Sequence, residues 1–199
     1  GFWQVPACEP TAENGVWIPG PGGRLFAALL ERVPHLSLLA EDLGVITEDV
    51  TALMDRFGFP GMKVLQFAFS PDMGKNAYIP HNITPGSAVY TGTHDNTTTR
   101  AWFTDELDEA GRKRFFAYAG REIGEADAAD VLIRLALGSV AGLCVIPMQD
   151  YLNLGREGRM NIPGVAGGNW GWRMRPDAPT RELSRRMLTL AEVYGRLWD

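Results

Sequence analysis

The stretch AVYTGTHDN, residues 88–96, decides how the rest of the chain is interpreted. Its first six residues are apolar, aromatic, β-branched or small and predict a short strand, whereas the last three are polar. Similar apolar runs predict three more strands, with the sequences LSLLA at 36–40, MKVLQFAF at 62–69 and LCVIP at 143–147. Polar or glycine-rich residues follow each run. The chain is therefore expected to contain four short strands.

Helices are predicted between these strands. Five are expected, over residues 24–33, 48–57, 104–119, about 127–137 and about 183–197. Apolar residues on one face indicate the first, second and last, and charges that match the helix dipole indicate the third. Thr47 is the expected N-cap of the second helix, and Gly120 ends the third. Residues 5–23, rich in proline and glycine, predict a loop. Strands that alternate with helices indicate parallel βαβ units and an α/β fold, either a small open sheet or half of an eight-stranded barrel.

The composition excludes several classes of protein. The 199 residues include 24 acidic and 19 basic side chains, and 45% are hydrophobic, which favours a packed core over disorder. A net charge of -5 without a basic cluster argues against nucleic-acid binding, and no run reaches the roughly 20 apolar residues of a membrane-spanning helix. Cys8 and Cys144 lie far apart and there are three histidines, so neither a disulfide framework nor a zinc cluster is expected. A cytoplasmic location fits best.

Carboxylates follow two of the predicted strands. Glu41 and Asp42 come directly after residues 36–40, and Asp95 comes after the opening stretch. Parallel α/β folds place reactive groups at the carboxyl ends of strands. From the segment around Glu41 alone, a solvated turn or a helix cap is the stronger interpretation. Two such carboxylates on one rim nevertheless suggest glycoside chemistry, in which a pair of acidic side chains flanks the scissile bond.

Polar and aromatic side chains surround the second carboxylate in sequence and recur later in the chain. His94 and Asn96 flank Asp95 in a patch that suits sugar hydroxyls or a developing positive charge. The stretch 159–173 places amide, guanidinium and indole groups together, as sites that stack on sugar rings do. Tryptophans that only fill the end of a barrel are an equally weighted alternative. Asp150 is expected to be a helix N-cap rather than an acid catalyst.

Four motifs taken together resemble the 4-alpha-glucanotransferases, the amylomaltases or disproportionating enzymes of glycoside hydrolase family 77 in the α-amylase clan. They are AEDLGVIT at 40–47, GFPGMKVLQFAF at 58–69, YTGTHDN at 90–96, and RMNIPG with GNWGWR between 159 and 173. The resemblance runs from end to end in the family's order. It implies the C-terminal half of a TIM-type (β/α)8 barrel, strands five to eight, with residues 1–199 forming the C-terminal part of the catalytic domain.

The resemblance also implies the roles of individual residues. Glu41 corresponds to the family's general acid/base, Asp95 to its transition-state stabiliser and His94 to a residue that contacts the sugar at the cleavage point. Weaker sugar-binding candidates are Asp42, Asn96, Asn161, Asn169 and Trp172. The substrates implied are α-1,4-glucans and maltooligosaccharides, with glucose or maltose as acceptor. No metal or organic cofactor is implied.

One expected element is not in this sequence. The family's nucleophile is an aspartate that the resemblance places upstream of Gly1, in the N-terminal half of the same enzyme. A retaining mechanism needs that second carboxylate, so the chain alone is expected to be inactive. Two alternatives stay open: an α-amylase-like glucan hydrolase, and a non-catalytic chain that only binds glucan.

Overall fold

The computed structural model describes residues 1–197. The chain divides into two compact units, Gly1–Pro60 and Gly61–Asp199. Among the described residues, every helix is too short or too polar to span a bilayer.

The first unit consists of a hairpin, two helices and irregular segments. Its elements are β1 (Phe2–Gln4), β2 (Val16–Ile18), α1 (Gly23–Arg32) and α2 (Glu48–Phe57). The two strands pair antiparallel, with the Trp3 and Trp17 rings 5.6 Å apart across the hairpin. The hairpin was not predicted, because the proline and glycine content of residues 5–23 indicated only a loop. None of residues 1–60 is buried, so local contacts rather than a core hold this unit.

The predicted strand at residues 36–40 is wrong. The Ala40 N–H donates a 2.9 Å hydrogen bond to the Pro60 carbonyl, but the segment does not pair with any strand of the described residues. Leu36 and Leu39 are 37% and 42% exposed. An apolar run becomes a buried parallel strand only when neighbouring strands pair with its edges and helices cover its faces. Residues 36–40 are therefore irregular.

Helix α2 begins and ends as predicted. Thr47 is the N-cap residue, and its hydroxyl bonds to the Asp49 carboxylate rather than to a free N–H of the first turn. Gly58 ends the helix with φ at 65°, a left-handed conformation that glycine adopts without strain.

The second unit contains a three-stranded parallel sheet in the order β3-β4-β5. The strands are β3 (Gly61–Val64), β4 (Ser87–Tyr90) and β5 (Leu143–Val145). They are shorter than the predicted strands at 62–69, 88–93 and 143–147. After β3 the chain turns into a 3-10 helix at Leu65–Phe67, and after β4 it enters a polar loop. Parallel order agrees with the predicted βαβ units, because parallel neighbours need crossover connections.

Among the described residues of this unit, five α-helices accompany the sheet. They are α3 (Thr99–Ala101), α4 (Glu109–Ala119), α5 (Ala128–Leu137), α6 (Met148–Tyr151) and α7 (Arg181–Val193); a π-helical turn at Trp102–Glu106 and short 3-10 turns at Met73–Lys75, Pro80–Asn82 and Arg156–Gly158 complete the unit. The predicted start of a helix at Thr104 is wrong. Asp108 is the true N-cap of α4, since its carboxylate accepts a 2.6 Å hydrogen bond from the Gly111 N–H. The last predicted helix, about 183–197, lies further toward the N-terminus as α7.

The core of the second unit lies around Phe115 of α4. The Phe69, Trp102 and Phe103 rings approach it to between 4.7 and 6.3 Å. All four side chains are at most 6% exposed, and Leu132 of α5 is fully buried in the same cluster. Burial of this apolar surface anchors the helices on the sheet and fixes the positions of the strand ends.

Candidate active site

The loop that follows β4 folds into a tight turn. The Asn96 carboxamide oxygen accepts hydrogen bonds from both the backbone N–H and the hydroxyl of Thr93, each at 2.9 Å. The Asp95 N–H donates to the Thr93 hydroxyl at 3.3 Å. Asparagine side chains commonly close such turns by bonding to nearby backbone. Asn96, predicted as a sugar ligand, therefore shapes the turn that presents His94 and Asp95 to solvent.

Asp95 is the centre of a polar cluster. Its Oδ1 accepts a 2.6 Å hydrogen bond from the Asn161 amide and lies 3.3 Å from the His94 Nε2. The Asn161 N–H in turn donates to the His94 carbonyl at 3.1 Å. The Asp95 side chain is 50% exposed, so its carboxylate is oriented yet accessible. Three predicted site residues, His94, Asp95 and Asn161, are thus in direct contact although 66 residues of sequence separate the last two.

Arg159 fixes this cluster through the backbone, and the sequence prediction missed it. Its guanidinium donates to the Asp95 carbonyl at 3.0 Å and to the Asn161 carbonyl at 2.9 Å. It also forms an ion pair with Glu106 at 3.4 Å. Guanidinium groups have several donors in fixed directions, which suits them to joining two segments. Its place in the RMNIPG motif was the available signal.

A cavity of about 490 Å³ opens beside the cluster, with His94, Arg159, Met160, Trp170, Trp172 and Met174 among its lining residues. The Trp170 ring lies 5.1 Å from the His94 ring, at an interplanar angle of 35°. Trp170 has a φ of 59°, which bulky residues rarely adopt, and its N–H donates to the Met160 carbonyl at 2.6 Å. Such backbone strain persists where surrounding structure enforces it and is concentrated at functional sites. The cavity combines aromatic faces with polar groups, as sugar sites do.

Asn169 and Trp172 occupy different positions in this region. Trp172 lines the cavity, and its predicted role as a sugar-binding residue stays a prediction. The Asn169 amide is used within its own loop, since its oxygen accepts from the Ile162 N–H at 3.0 Å and its nitrogen donates to the Val165 carbonyl at 2.7 Å. Asn169 thus holds the loop that carries Asn161, and its predicted role as a sugar ligand stays a prediction.

Glu41 and Asp42 lie in the first unit, on the irregular segment between α1 and α2. The Glu41 side chain is exposed and the Asp42 side chain is half-buried. The predicted acid/base is therefore accessible to solvent, and its role stays a prediction.

Asp150 is the most buried carboxylate of the described residues, with 2% exposure. Its prediction as an N-cap is wrong, because it lies inside α6, whose N-cap is Pro147. Its oxygens accept hydrogen bonds from the Thr91 hydroxyl and from the N–H and hydroxyl of Thr99. Burial raises the pKa of Asp150, and these three hydrogen bonds oppose that shift. The side chain is directed to the ends of the β4 loop rather than to its own helix.

Within residues 1–197, no group of three or more His, Cys, Asp or Glu side chains is arranged to hold a metal ion. The groups present are a carboxylate, an imidazole, amides, guanidinium groups and indoles at the end of a parallel strand. This arrangement is typical of α/β enzymes that act on carbohydrates, where a carboxylate balances positive charge at the sugar and aromatic rings stack on it.

Comparison with known proteins gives the family. The family model of the 4-alpha-glucanotransferases matches residues 1–179. A 4-alpha-glucanotransferase of Synechocystis is 50% identical over 197 residues, 98% of this chain and 38% of the relative. The enzyme of Thermus thermophilus is 45% identical over 201 residues, 98% of this chain and 40% of the relative. This chain belongs to the 4-alpha-glucanotransferase family, as the four sequence motifs predicted. It spans about two fifths of the length of these relatives.

Solved structures agree with this membership. An amylomaltase from Streptococcus agalactiae in complex with acarbose matches 97% of this chain and 39% of its own, with a TM-score of 0.90 and 34% identity. An amylomaltase from Corynebacterium glutamicum covers 84% of this chain and 29% of its own, with a TM-score of 0.66; at 18% identity this likeness shows the fold alone.

Proposed function

We propose that this chain is part of a 4-alpha-glucanotransferase, which moves segments of α-1,4-glucan between maltooligosaccharides or between chains of starch or glycogen. Glucose or maltose also serves as acceptor. The observation that carries the proposal is the position of Asp95 at the end of β4, bonded to Asn161 and adjacent to His94, beside an aromatic cavity. Family membership supports it, because the relatives bear the name of that activity.

We further propose that residues 1–199 form the C-terminal part of the catalytic domain and contribute strands five to eight of a (β/α)8 barrel. The parallel order β3-β4-β5 supports this placement, with short 3-10 turns between β3 and β4 and α-helices after β4 and after β5. The intact mass of the protein produced by its host tests this proposal. A value well above 21.9 kDa, the mass of this chain, supports it, and a value of 21.9 kDa contradicts it.

The proposed reaction is a retaining double displacement with two carboxylates in this chain. Glu41 donates a proton to the glycosidic oxygen as the bond to the anomeric carbon breaks, and a carboxylate from the rest of the protein bonds to that carbon. Glu41 then takes the proton of the acceptor 4-hydroxyl, whose oxygen displaces the enzyme carboxylate. The anomeric configuration is inverted twice and so retained.

Asp95 stabilises the oxocarbenium-like charge in both steps. A carboxylate near the ring carbon attracts positive charge, and the attraction strengthens when sugar rings displace water. The 2.6 Å hydrogen bond from Asn161 fixes the direction of Oδ1. His94, 3.3 Å from the same oxygen, supplies a donor for a sugar hydroxyl at the cleavage point.

The apolar part of the cavity favours transfer over hydrolysis. Met160, Trp170 and Met174 line it together with His94. A sugar acceptor that packs on these side chains displaces water from the reacting carbon, so that a sugar hydroxyl attacks in its place.

We also propose a cytoplasmic location, since both Cys8 and Cys144 are free thiols, as is usual in reducing compartments.

Product analysis with the full-length protein tests the proposed function. With maltotriose as the only substrate, transfer yields glucose together with oligosaccharides longer than maltotriose. When isotopically labelled glucose is added as an acceptor, transfer incorporates it at the reducing end of the new chains. An α-amylase-like hydrolase gives only glucose and maltose, and a glucan-binding protein without activity gives no new product. The 199-residue chain is a further arm, which is expected to form no product because the nucleophile comes from the rest of the protein.

A further inference from the structure

We propose that Asp150 is the positioning residue of the active-site loop, and that its buried carboxylate fixes both ends of the segment carrying His94, Asp95 and Asn96. The catalytic consequence rests on the proposed function, whereas the structural role does not. Asp150 is contributed by α6, which follows β5, and the loop follows β4. The carboxylate therefore joins two neighbouring strand ends through the interior of the second unit.

The contacts of this carboxylate are directed to the two ends of the loop. Oδ2 accepts from the Thr91 hydroxyl at 2.5 Å and from the Thr99 hydroxyl at 2.8 Å. Oδ1 accepts from the Thr99 N–H at 2.8 Å. Thr91 is the first residue after β4 and Thr99 is the first residue of α3, and both are fully buried. One side chain thus closes the base of the loop.

The surroundings of the Asp150 side chain require a hydrogen-bond acceptor. All three partners donate, and all are neutral, so no counter-charge compensates the buried carboxylate through these bonds. Burying an ionised carboxyl is costly unless hydrogen bonds satisfy it. If Asp150 served only to fill space, an apolar side chain would do so at lower cost. Its retention in the interior is explained by what the three bonds hold in place.

The opposite side of the loop is held as well. Gln66, which follows β3, is 6% exposed and donates from its amide to the Thr97 carbonyl at 3.0 Å. A Cβ at Gly92 would lie 2.6 Å from the Gln66 Nε2, so the loop lies tightly against this side chain. With Asp150 in place, the loop has little freedom to move. Without it, the loop keeps the Gln66 bond and the bonds from Arg159 and Asn161, but its two ends at Thr91 and Thr99 are released and the turn at Thr93 can shift.

A shift of the turn changes the geometry at the reacting carbon. Asp95 is four residues from each of the two threonines that Asp150 holds. Misplacement of a catalytic group by about 1 Å costs roughly 100-fold in rate. Since Asp95 acts on the transition state, the loss is expected in kcat, with little change in KM.

The test uses three variants of the full-length protein. Asp150→Ala removes all three acceptors. Asp150→Asn is the conservative variant, because its amide oxygen can still accept from the Thr99 N–H and the two hydroxyls can rotate to accept from its NH2 group. Asp130→Ala is the control: Asp130 is a half-buried aspartate that lies on α5 and bonds to Arg134 and Arg186 rather than to the loop.

Two readouts are measured: the kcat and KM of maltotriose transfer, and hydrogen–deuterium exchange of peptides that cover residues 91–99. Asp150→Ala is expected to lower kcat about 100-fold, with KM within about threefold of the wild type, and to accelerate exchange in the loop. Asp150→Asn is expected to recover most of both. Asp130→Ala is expected to accelerate exchange in α5 and α7 and to leave the loop and kcat unchanged.

Unchanged exchange over residues 91–99 in Asp150→Ala overturns the proposal, as does an equal loss of kcat in the Asp130→Ala control. If Asp150→Ala does not fold, Thr91→Val removes one of the three bonds at constant shape, and faster loop exchange is again the expected result; unchanged exchange overturns the proposal. If the wild type transfers no glucan, the proposed function has failed, and loop exchange alone decides the role of Asp150.

Discussion

The two units of the chain hold their proposed catalytic carboxylates in different ways. Asp95 lies in a loop bonded on one side to Asp150 and on the other to Gln66, above a core in which Phe115 is fully buried. Glu41 lies on an exposed irregular segment in a unit where no residue is buried. Stability varies along a chain with the burial of its side chains and backbone hydrogen bonds. The environment of Asp95 is therefore built within residues 61–197, whereas that of Glu41 has no core of its own.

The effects of substitutions are therefore expected to stay local to one unit. Substitutions around Asp95 should change activity through geometry that the second unit itself supplies. Substitutions in the first unit should cost less stability even when they touch aromatic clusters, because the side chains there are exposed or only partly buried.

The largest expected effect is that of Asp95→Asn on activity. Loss of the negative charge removes stabilisation of the oxocarbenium-like transition state, and kcat for maltotriose transfer is expected to fall about 10³-fold in the full-length protein. The shape of the side chain and its contact with Asn161 are preserved, so the thermal midpoint should stay close to that of the wild type. Asp177→Asn, at an exposed aspartate bonded to Arg175, is the control and should keep full activity. An active Asp95→Asn enzyme would refute the proposed role.

The next largest effect is a difference between the two units in the stability lost when a phenylalanine is truncated. Phe115→Ala leaves a cavity among the Phe69, Trp102 and Phe103 rings and is expected to cost about 3–5 kcal/mol. Phe26→Ala removes contacts with the Phe57 and Phe59 rings in the first unit and is expected to cost about 1 kcal/mol.

Urea unfolding of the full-length protein, followed by exchange of peptides from each unit, measures both of these values. Similar costs at the two positions would mean that the first unit owes as much stability to burial as the second, and the comparison would fail.

Two glycines, one in each unit, differ in the space around them. A Cβ at Gly92 would lie 2.6 Å from the buried Gln66 amide, so Gly92→Ala is expected to cost about 1–3 kcal/mol and to disturb the bond to Thr97. A Cβ at Gly44 in the first unit meets no atom within 4 Å, so Gly44→Ala is expected to be neutral or slightly stabilising, by up to about 1 kcal/mol. Thermal unfolding with transfer kinetics measures both variants. A neutral Gly92→Ala would show that the loop is not tightly held.

The smallest expected effect is a pH dependence of stability from Asp130. Burial works against ionisation, but hydrogen bonds from Arg134 and Arg186 prevail and hold the pKa of Asp130 below its ordinary value of 3.8. The stabilisation from the ionised Asp130 is fully present above pH 3.8 and is lost as the pH falls through the lower pKa of the folded state. Asp130→Asn is therefore expected to cost about 0.5 kcal/mol at pH 7, and the difference from the wild type should shrink below pH 3.8.

The pH dependence of stability that Asp150 contributes has the opposite sign. Burial raises its pKa, so the folded state binds a proton at a higher pH than the unfolded state does. Between 3.8 and the raised pKa, stability is expected to increase as the pH falls. Urea midpoints between pH 3 and pH 7 measure both contributions. The same slope in Asp130→Asn and Asp150→Asn would contradict these assignments.

Local sequence signals predicted the elements that local interactions determine. Thr47 and Gly58 bound α2, and Gly120 ends α4 in a left-handed conformation, as expected from cap preferences. The motif at residues 90–96 indicated His94 and Asp95 as site residues. The resemblance added Asn161, which contacts Asp95 in the structure.

The errors occurred where distant residues decide the structure. Residues 36–40 have strand composition, but a strand also needs paired edges, which a single sequence does not reveal. Asp150 looked like a cap because a carboxylate after a strand is common at helix starts, whereas its true partners lie 51 and 59 residues away. Arg159 acts on backbone carbonyls, which carry no signal in the sequence of the residues it bonds.

The most direct test of the account compares Glu41→Gln and Asp95→Asn with α-maltotriosyl fluoride in the full-length protein. Fluoride leaves without protonation, so the step that forms the glycosyl-enzyme needs charge stabilisation but no general acid. In single-turnover experiments we expect Glu41→Gln to release fluoride at a rate near that of the wild type, although it transfers maltotriose slowly. Asp95→Asn should be slow with both substrates. Rapid fluoride release by Asp95→Asn, or equal loss in both variants, would contradict the separate roles proposed for the two carboxylates.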